Sequence, residues 1–200
     1  QELQVTRAYV QAEARAASWV QQGAYKELEK QPFPLRGLCS HHPLNGDLTD
    51  RLDTSKKGEM KQDWGAKGDS PSYIQGMHLQ ALHLNGDTYL DLEHTGIFRR
   101  SDPFTVSMWI WVPKTCKEGV IFHKSDAERL YNFKGFSVSL KPDQFEIMMA
   151  HTAPSNAIIK KAQDTAPREQ WVYVTMTYDG SATANGFKLY QNGVAVPMAI

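Results

Sequence analysis

Apolar and polar residues alternate with a period of two through most of the second half of the chain. Trp171-Val172-Tyr173-Val174-Thr175-Met176-Thr177-Tyr178 and Phe187-Lys188-Leu189-Tyr190-Gln191 are dense in β-branched and aromatic residues, which suit a pleated, half-buried surface. Each run ends in a dipeptide that supplies positive φ for a tight turn, Asp179-Gly180 and Asn192-Gly193, so the pair reads as two antiparallel strands. Phe104–Val112, stopped by Pro113, reads as a central strand. Shorter strands are expected at Val120–His123, Phe136–Leu140, Phe145–Met149 and Ala157–Lys160. Turn signals roughly every eight to twelve residues between short strands are the mark of a β-sandwich.

The first half is less regular. Val5, Tyr9, Ala12, Ala16 and Trp19 recur at spacings of four and three, which predicts a helix with one apolar face. That face would dock on a flanking domain or cover part of the chain's own β domain, and the sequence leaves both open. Gln31-Pro32-Phe33-Pro34 ends the helix, because proline bars the preceding residue from helical geometry. The organisation expected is therefore a helix and linker over 1–34 and a β domain over 35–200. Within the latter, Leu38–Leu44 reads as a first strand and Asp50–Ser72 as a long surface loop with one short strand. Gly76–Leu84 and Tyr89–Leu92 read as a hairpin about Asn85-Gly86-Asp87.

Trp171, Val174-Thr175, Tyr178-Asp179-Gly180, Leu189-Tyr190 and Asn192-Gly193 together resemble the late strand pair of the laminin-G-like, concanavalin A-like lectin/glucanase jelly roll. Pro103–Val112 resembles the central strand of that family, and Ala81-Leu82-His83-Leu84-Asn85-Gly86 resembles an earlier strand. Asn156-Ala157-Ile158 is similar to the version embedded in large planctomycete-type cytochrome c proteins of bacteria. The resemblance implies a mainly β, antiparallel sandwich from about Leu35 onward, with the N-terminal helix as an addition. Family members close with strands beyond the Asn-Gly turn, so the chain ending at Ile200 is expected to lack the last of them. The implied role is a binding module, for a glycan or a protein, inside a larger periplasmic or extracellular protein. A spacer packing on flanking domains through the Val5/Tyr9/Ala12/Ala16/Trp19 stripe is the other reading.

Charge narrows the partners. Lys plus Arg equals Asp plus Glu at 22 each, which argues against nucleic acid or an anionic membrane as the main partner. No apolar run approaches the roughly 20 residues that a membrane-spanning helix needs. Cys39 and Cys116 are the two cysteines; one disulfide or two free thiols are open, and the strand and loop placements favour free thiols. Neither belongs to a haem attachment motif.

Four constellations bear on chemistry. Relatives that hydrolyse glucans need two close carboxylates, and in Tyr89-Leu90-Asp91-Leu92-Glu93 a tyrosine stands where the resemblance would put the first acid; no catalytic residue is expected. Asp47, Asp50 and Asp53 stand three apart around a turn and are candidate ligands for a structural calcium, although acidic turn residues are ordinary. His41-His42, His78 and His83 put neighbours on opposite strand faces and read as packing or surface residues. A sugar site would use aromatics and amide or imidazole groups on loops above a rigid sheet. Trp64, His151 and Asn156 are the candidates for it, with Tyr131 beside them. Trp109, Trp111 and Trp171 are expected in the core, since aromatics dominate sandwich interiors.

Overall fold

The computed structural model describes residues 36–62, 66–77, 79–125 and 134–200. The chain divides into two units between His41 and His42, and every strand described below belongs to the second. The expected N-terminal helix with its Val5/Tyr9/Ala12/Ala16/Trp19 stripe, and also Trp64, His78 and Tyr131, lie outside the described residues.

Thirteen strands are found among the described residues. In chain order they are β1 Glu59–Gln62, β2 Ser72–Gln75, β3 Gln80–His83, β4 Thr88–Asp91, β5 Phe104–Trp111, β6 Gly119–Ser125 and β7 Gly135–Leu140. They continue with β8 Phe145–Thr152, β9 Asn156–Ala162, β10 Trp171–Tyr178, β11 Phe187–Gln191, β12 Val194–Ala195 and β13 Met198–Ala199. A four-stranded sheet runs β12-β11-β10-β5 and a five-stranded sheet β13-β9-β8-β7-β6; β1 pairs with β4 and β2 with β3. All pairings are antiparallel.

The two larger sheets bury their facing sides against each other. Val138, Phe145 and Ile147 from the five-stranded sheet, and Met176, Phe187 and Leu189 from the four-stranded one, are wholly excluded from solvent. Burying each side chain of this size contributes about 1.5–3 kcal/mol. Phe98, Phe104 and Phe136 form a ring cluster at one end of this core, with Phe98 stacked on Phe104 at 4.3 Å. Tyr178 stacks on Phe187 at 4.4 Å. Its hydroxyl donates to the Arg100 carbonyl at 2.6 Å and accepts from the Ala182 amide at 2.7 Å, so the polar tip of this buried ring is fully used. Lys160 also faces the interior and donates to the Phe187 carbonyl at 3.0 Å.

Beyond Gln191 the chain turns at Asn192-Gly193, both at positive φ, the geometry of a two-residue hairpin. It returns as β12 and then crosses to the other sheet, where Met198 pairs with Ala162 and Ala199 with Lys161. Two strands thus come after the Asn-Gly turn, and the second links the layers.

Three local expectations differ from the structure. Leu38–Leu44 forms no strand: Pro43 has no amide to donate, Leu44 takes φ +56, and His42 Nδ1 lies 3.1 Å from the Leu48 carbonyl. The segment from Asp50 is not purely surface, because Asp50 and Met60 are buried. The expected hairpin of Gly76–Leu84 with Tyr89–Leu92 does not form; β3 pairs with the preceding β2, and β4 with β1. Asn85 instead accepts from the Asp87 amide and the Thr88 hydroxyl, an Asx turn that redirects the chain without folding it back on itself.

Candidate functional site: the outer face of the four-stranded sheet

Strand β5 is read by its parity. Phe104, Val106, Met108 and Ile110 point into the sandwich, while Thr105, Ser107, Trp109 and Trp111 are exposed. On β10, Val172, Val174, Met176 and Tyr178 are buried, and Trp171, Tyr173, Thr175 and Thr177 are half-buried on the other side. The register sets these outward residues directly opposite one another: Trp171 with Trp111, Tyr173 with Trp109, Thr175 with Ser107 and Thr177 with Thr105. Trp109 and Trp111 keep 43% and 42% of their surface open to solvent, against the expectation that they lie in the core. Trp171 too faces outward. Alternation on a strand separates two faces without saying which is inside, and here the aliphatic face won the interior.

The result is an aromatic platform on a rigid support. Trp109 and Tyr173 have ring centroids 5.2 Å apart at 44°, and Trp111 and Trp171 are 6.0 Å apart at 61°. Such tilted, edge-to-face contacts are the favoured geometry between rings. Next to them the Thr175 hydroxyl is 3.2 Å from that of Ser107. The backbone under Tyr173 is held from both sides. It pairs with Trp109 of β5; beyond the end of β11, the Asn192 side chain accepts its amide at 2.9 Å and the Asn192 amide donates to its carbonyl at 2.8 Å. The hairpin asparagine therefore fixes a platform residue.

Charge is sparse here. Tyr190 and Lys188 of β11 lie beside Thr175 and Thr177, and no carboxylate belongs to this face among the described strand residues. Glu169, just before Trp171, has its carboxylate engaged by the Lys114 amide at 2.6 Å.

The residues singled out from sequence lie elsewhere. His151 and Asn156 are brought together at the β8–β9 turn, both exposed, with His151 Nδ1 3.1 Å from the Thr152 hydroxyl and Asn156 paired with Thr152. That turn contains a cis Ala153–Pro154 bond. It belongs to the five-stranded sheet. Since β9 runs from Asn156 to Ala162 and the chain then enters β10 at Trp171, the turn sits at the sandwich end opposite the Trp111–Trp171 pair. The structure does not join His151 and Asn156 to the platform.

Asp47, Asp50 and Asp53 each accept the amide two residues on, from Thr49 at 2.8 Å, Leu52 at 2.8 Å and Ser55 at 3.1 Å. These are Asx turns, an ordinary use of such residues. The Thr49 amide bond, chiefly, holds the Asp47 carboxyl below its usual pKa, and the Ser55 side chain does the same for Asp53. Asp50 is 1% exposed, with Oδ2 3.7 Å from His42 Nε2. Among the described residues no group of three or more His, Cys, Asp and Glu side chains is arranged to hold a metal. Of the acids near the glucanase-like stretch, Asp91 is paired in β4 with Glu59. It counteracts the burial that lowers the pKa of His123. Glu93 lies beyond the strand end, its carbonyl bound by Lys124 Nζ at 2.8 Å. Cys39 and Cys116 are free thiols.

A family model described as "Concanavalin A-like lectin/glucanases superfamily" matches residues 84–199. The chain belongs to this superfamily. The match starts just before β4 and takes in both larger sheets, and with them the aromatic platform. Comparison with curated proteins gave no match. Among solved structures the chain is similar to domain 4 of AbnA, a GH43 extracellular arabinanase from Geobacillus stearothermophilus, in complex with arabinotriose. That similarity has 18% identity and a TM-score of 0.48, over 80% of this chain and 73% of the other. Sequence reasoning missed the platform, yet a signal was present: Trp109 and Trp111 share parity with Thr105 and Ser107, and Trp171 with Thr175 and Thr177. Residues of one parity lie on one face, so the tryptophans travel with the polar set.

Proposed function

We propose that this domain is a non-catalytic, carbohydrate-binding module of a larger secreted or periplasmic bacterial protein, and that the outer face of the four-stranded sheet is where the glycan is held. The observation that carries the reading is the pair of opposed, solvent-open aromatic contacts, Trp109–Tyr173 and Trp111–Trp171, on a sheet whose other side is tightly packed. Large rings left half in water forgo the burial that would otherwise stabilise the fold. A sugar ring supplies what such rings lack, an apolar C–H face with hydroxyls at its rim. The C–H hydrogens suit the negative π-face, and the hydroxyls reach Ser107 and Thr175. A non-catalytic role is supported by Tyr89 standing where the glucanase-like pattern would put its first acid. The parent of planctomycete-type cytochrome c character, and the extracytoplasmic location, rest on the resemblance of Asn156-Ala157-Ile158 and its surroundings. A glycan array probed with calcium and with chelator tests the reading: retention on at least one polysaccharide is expected, and absence of binding in both conditions would refute it. Incubation with the retained polysaccharide should release no sugar.

A further inference from the structure

The platform is graded along its length, and the gradient says what kind of glycan fits. At the end where β10 begins stand the two aromatic pairs, Trp111–Trp171 and Trp109–Tyr173. The next two opposed pairs are hydroxylic, Ser107–Thr175 and then Thr105–Thr177. Successive pairs are two residues apart, so the four extend about 20 Å in single file along the strands. Lys188, beside Thr177, is the one charged residue of this face among the described strands.

Resting on the glycan-binding reading above, the geometry points to a neutral, linear glycan that lies along β5 and β10, its first rings stacked on the aromatic pairs and its next residues bonded to the threonine and serine hydroxyls. Each feature of that ligand is set by the face. A single file of pairs matches one chain laid lengthwise. Hydroxyl side chains both donate and accept, which matches sugar hydroxyls and gives a charged group no particular advantage. An acidic polymer would seek cations along its whole length, and Lys188 serves only the far end. A protein partner would favour an apolar centre ringed by polar groups, whereas along β5 and β10 this face is aromatic at one end and hydroxylic at the other, with the phenol of Tyr190 on β11 beside Thr175.

Calorimetric titration of the full chain with arabino-, xylo- and cello-oligosaccharides of increasing length, beside oligogalacturonides, tests the inference at low and high salt. At least one neutral series should bind, with affinity rising with length until the file of pairs is covered and flat thereafter, and with no dependence on salt. Trp109→Ala should weaken every length by roughly tenfold or more, in line with the energetic weight of central aromatic anchors. Thr175→Val should weaken only the longer oligomers, because the shortest sit on the rings. Lys188→Ala should leave neutral binding unchanged. Melting curves of each variant confirm that the fold is retained. Binding confined to the acidic series, or lost in salt and with Lys188→Ala, would overturn the neutral-glycan inference and leave the glycan-binding function standing. Neutral binding indifferent to both Trp109→Ala and Trp111→Ala would overturn this placement alone. Failure of every oligosaccharide and polysaccharide to bind would overturn both.

Discussion

Strands β5 and β10 carry two faces of opposite character on one stretch of backbone. Inward, Phe104, Val106, Met108 and Ile110 meet Val172, Val174, Met176 and Tyr178 in register, and the β10 set is almost wholly excluded from water. Outward, the same eight-residue spans present hydroxyls and four large rings that remain partly wet. The inner face is aliphatic with its aromatics gathered at the Tyr178 end; the outer face is aromatic at the Trp171 end. Side chains that fold a sandwich must fill space without voids, and aliphatic chains on both layers do so here. Rings kept at the surface contribute less to folding, and their cost in exposed apolar area makes sense if something else covers them. Folding and binding are thereby divided between the two parities of a single strand pair.

The division can be broken in order of expected effect. Phe187→Ala and Met176→Ala remove side chains that are wholly buried between the layers. Each should lower stability by about 2–5 kcal/mol, measured by chemical denaturation. A loss below about 1 kcal/mol for either, the size of an ordinary surface change, would mean that the packed interior is not where the fold is held. Next is Gly180, at φ +82, where an added Cβ would run into the Ser101 carbonyl. Gly180→Ala should cost about 1–3 kcal/mol by disturbing the corner that the Tyr178 hydroxyl ties to Arg100. Little change there would show that the corner adapts freely.

Smaller effects sharpen the contrast. Thr175→Val deletes one hydroxyl of the outer face and keeps the β-branched shape, so stability should move by no more than about 1 kcal/mol. Acid titration should have a weak signature from the turns. Hydrogen bonds from Ser181 hold the Asp179 carboxyl below its usual pKa, as those from Thr49 and Ser55 do for Asp47 and Asp53. A carboxyl lowered in the folded state binds its proton more readily when unfolded. Its contribution is therefore complete above the ordinary carboxyl value of 3.8 and is lost as pH falls through the folded value. Asp179→Asn should slightly flatten the decline of melting temperature in that range, and an unaltered profile would show that this carboxyl plays no part in it.

Strands β5 through β11 were legible because each is a short run rich in β-branched, aromatic or other apolar residues with Gly, Pro, Asp or Asn close beyond its end, and β5 and β10 alternate as well. What could not be read locally was partnership. The runs at Gln80–His83 and Thr88–Asp91 look like a hairpin because Asn85-Gly86 lies between them, yet β1 and β2 take them as partners from upstream. A strand's own sequence fixes its period and not its neighbour. Site residues failed for a related reason. Sugar-binding groups are expected on loops above a sheet, whereas the exposed rings stand on strands β5 and β10 themselves, and His151 and Asn156 lie at a turn remote from the platform. Aromatics dominate sandwich interiors, which puts Trp109, Trp111 and Trp171 in the expected core, yet their parity with Thr105, Ser107, Thr175 and Thr177 sets them with the solvent-facing residues.

Pairing a thermal melt with a polysaccharide-binding assay on the Trp109→Ala/Trp111→Ala double variant tests the division of labour most directly. A stability loss of about 1–2 kcal/mol is expected from the two lost ring contacts, far less than for a core truncation, together with abolished retention on whichever polysaccharide the unaltered chain binds. A collapse in melting comparable to Phe187→Ala, with glycan retention intact in the folded fraction, would contradict that division.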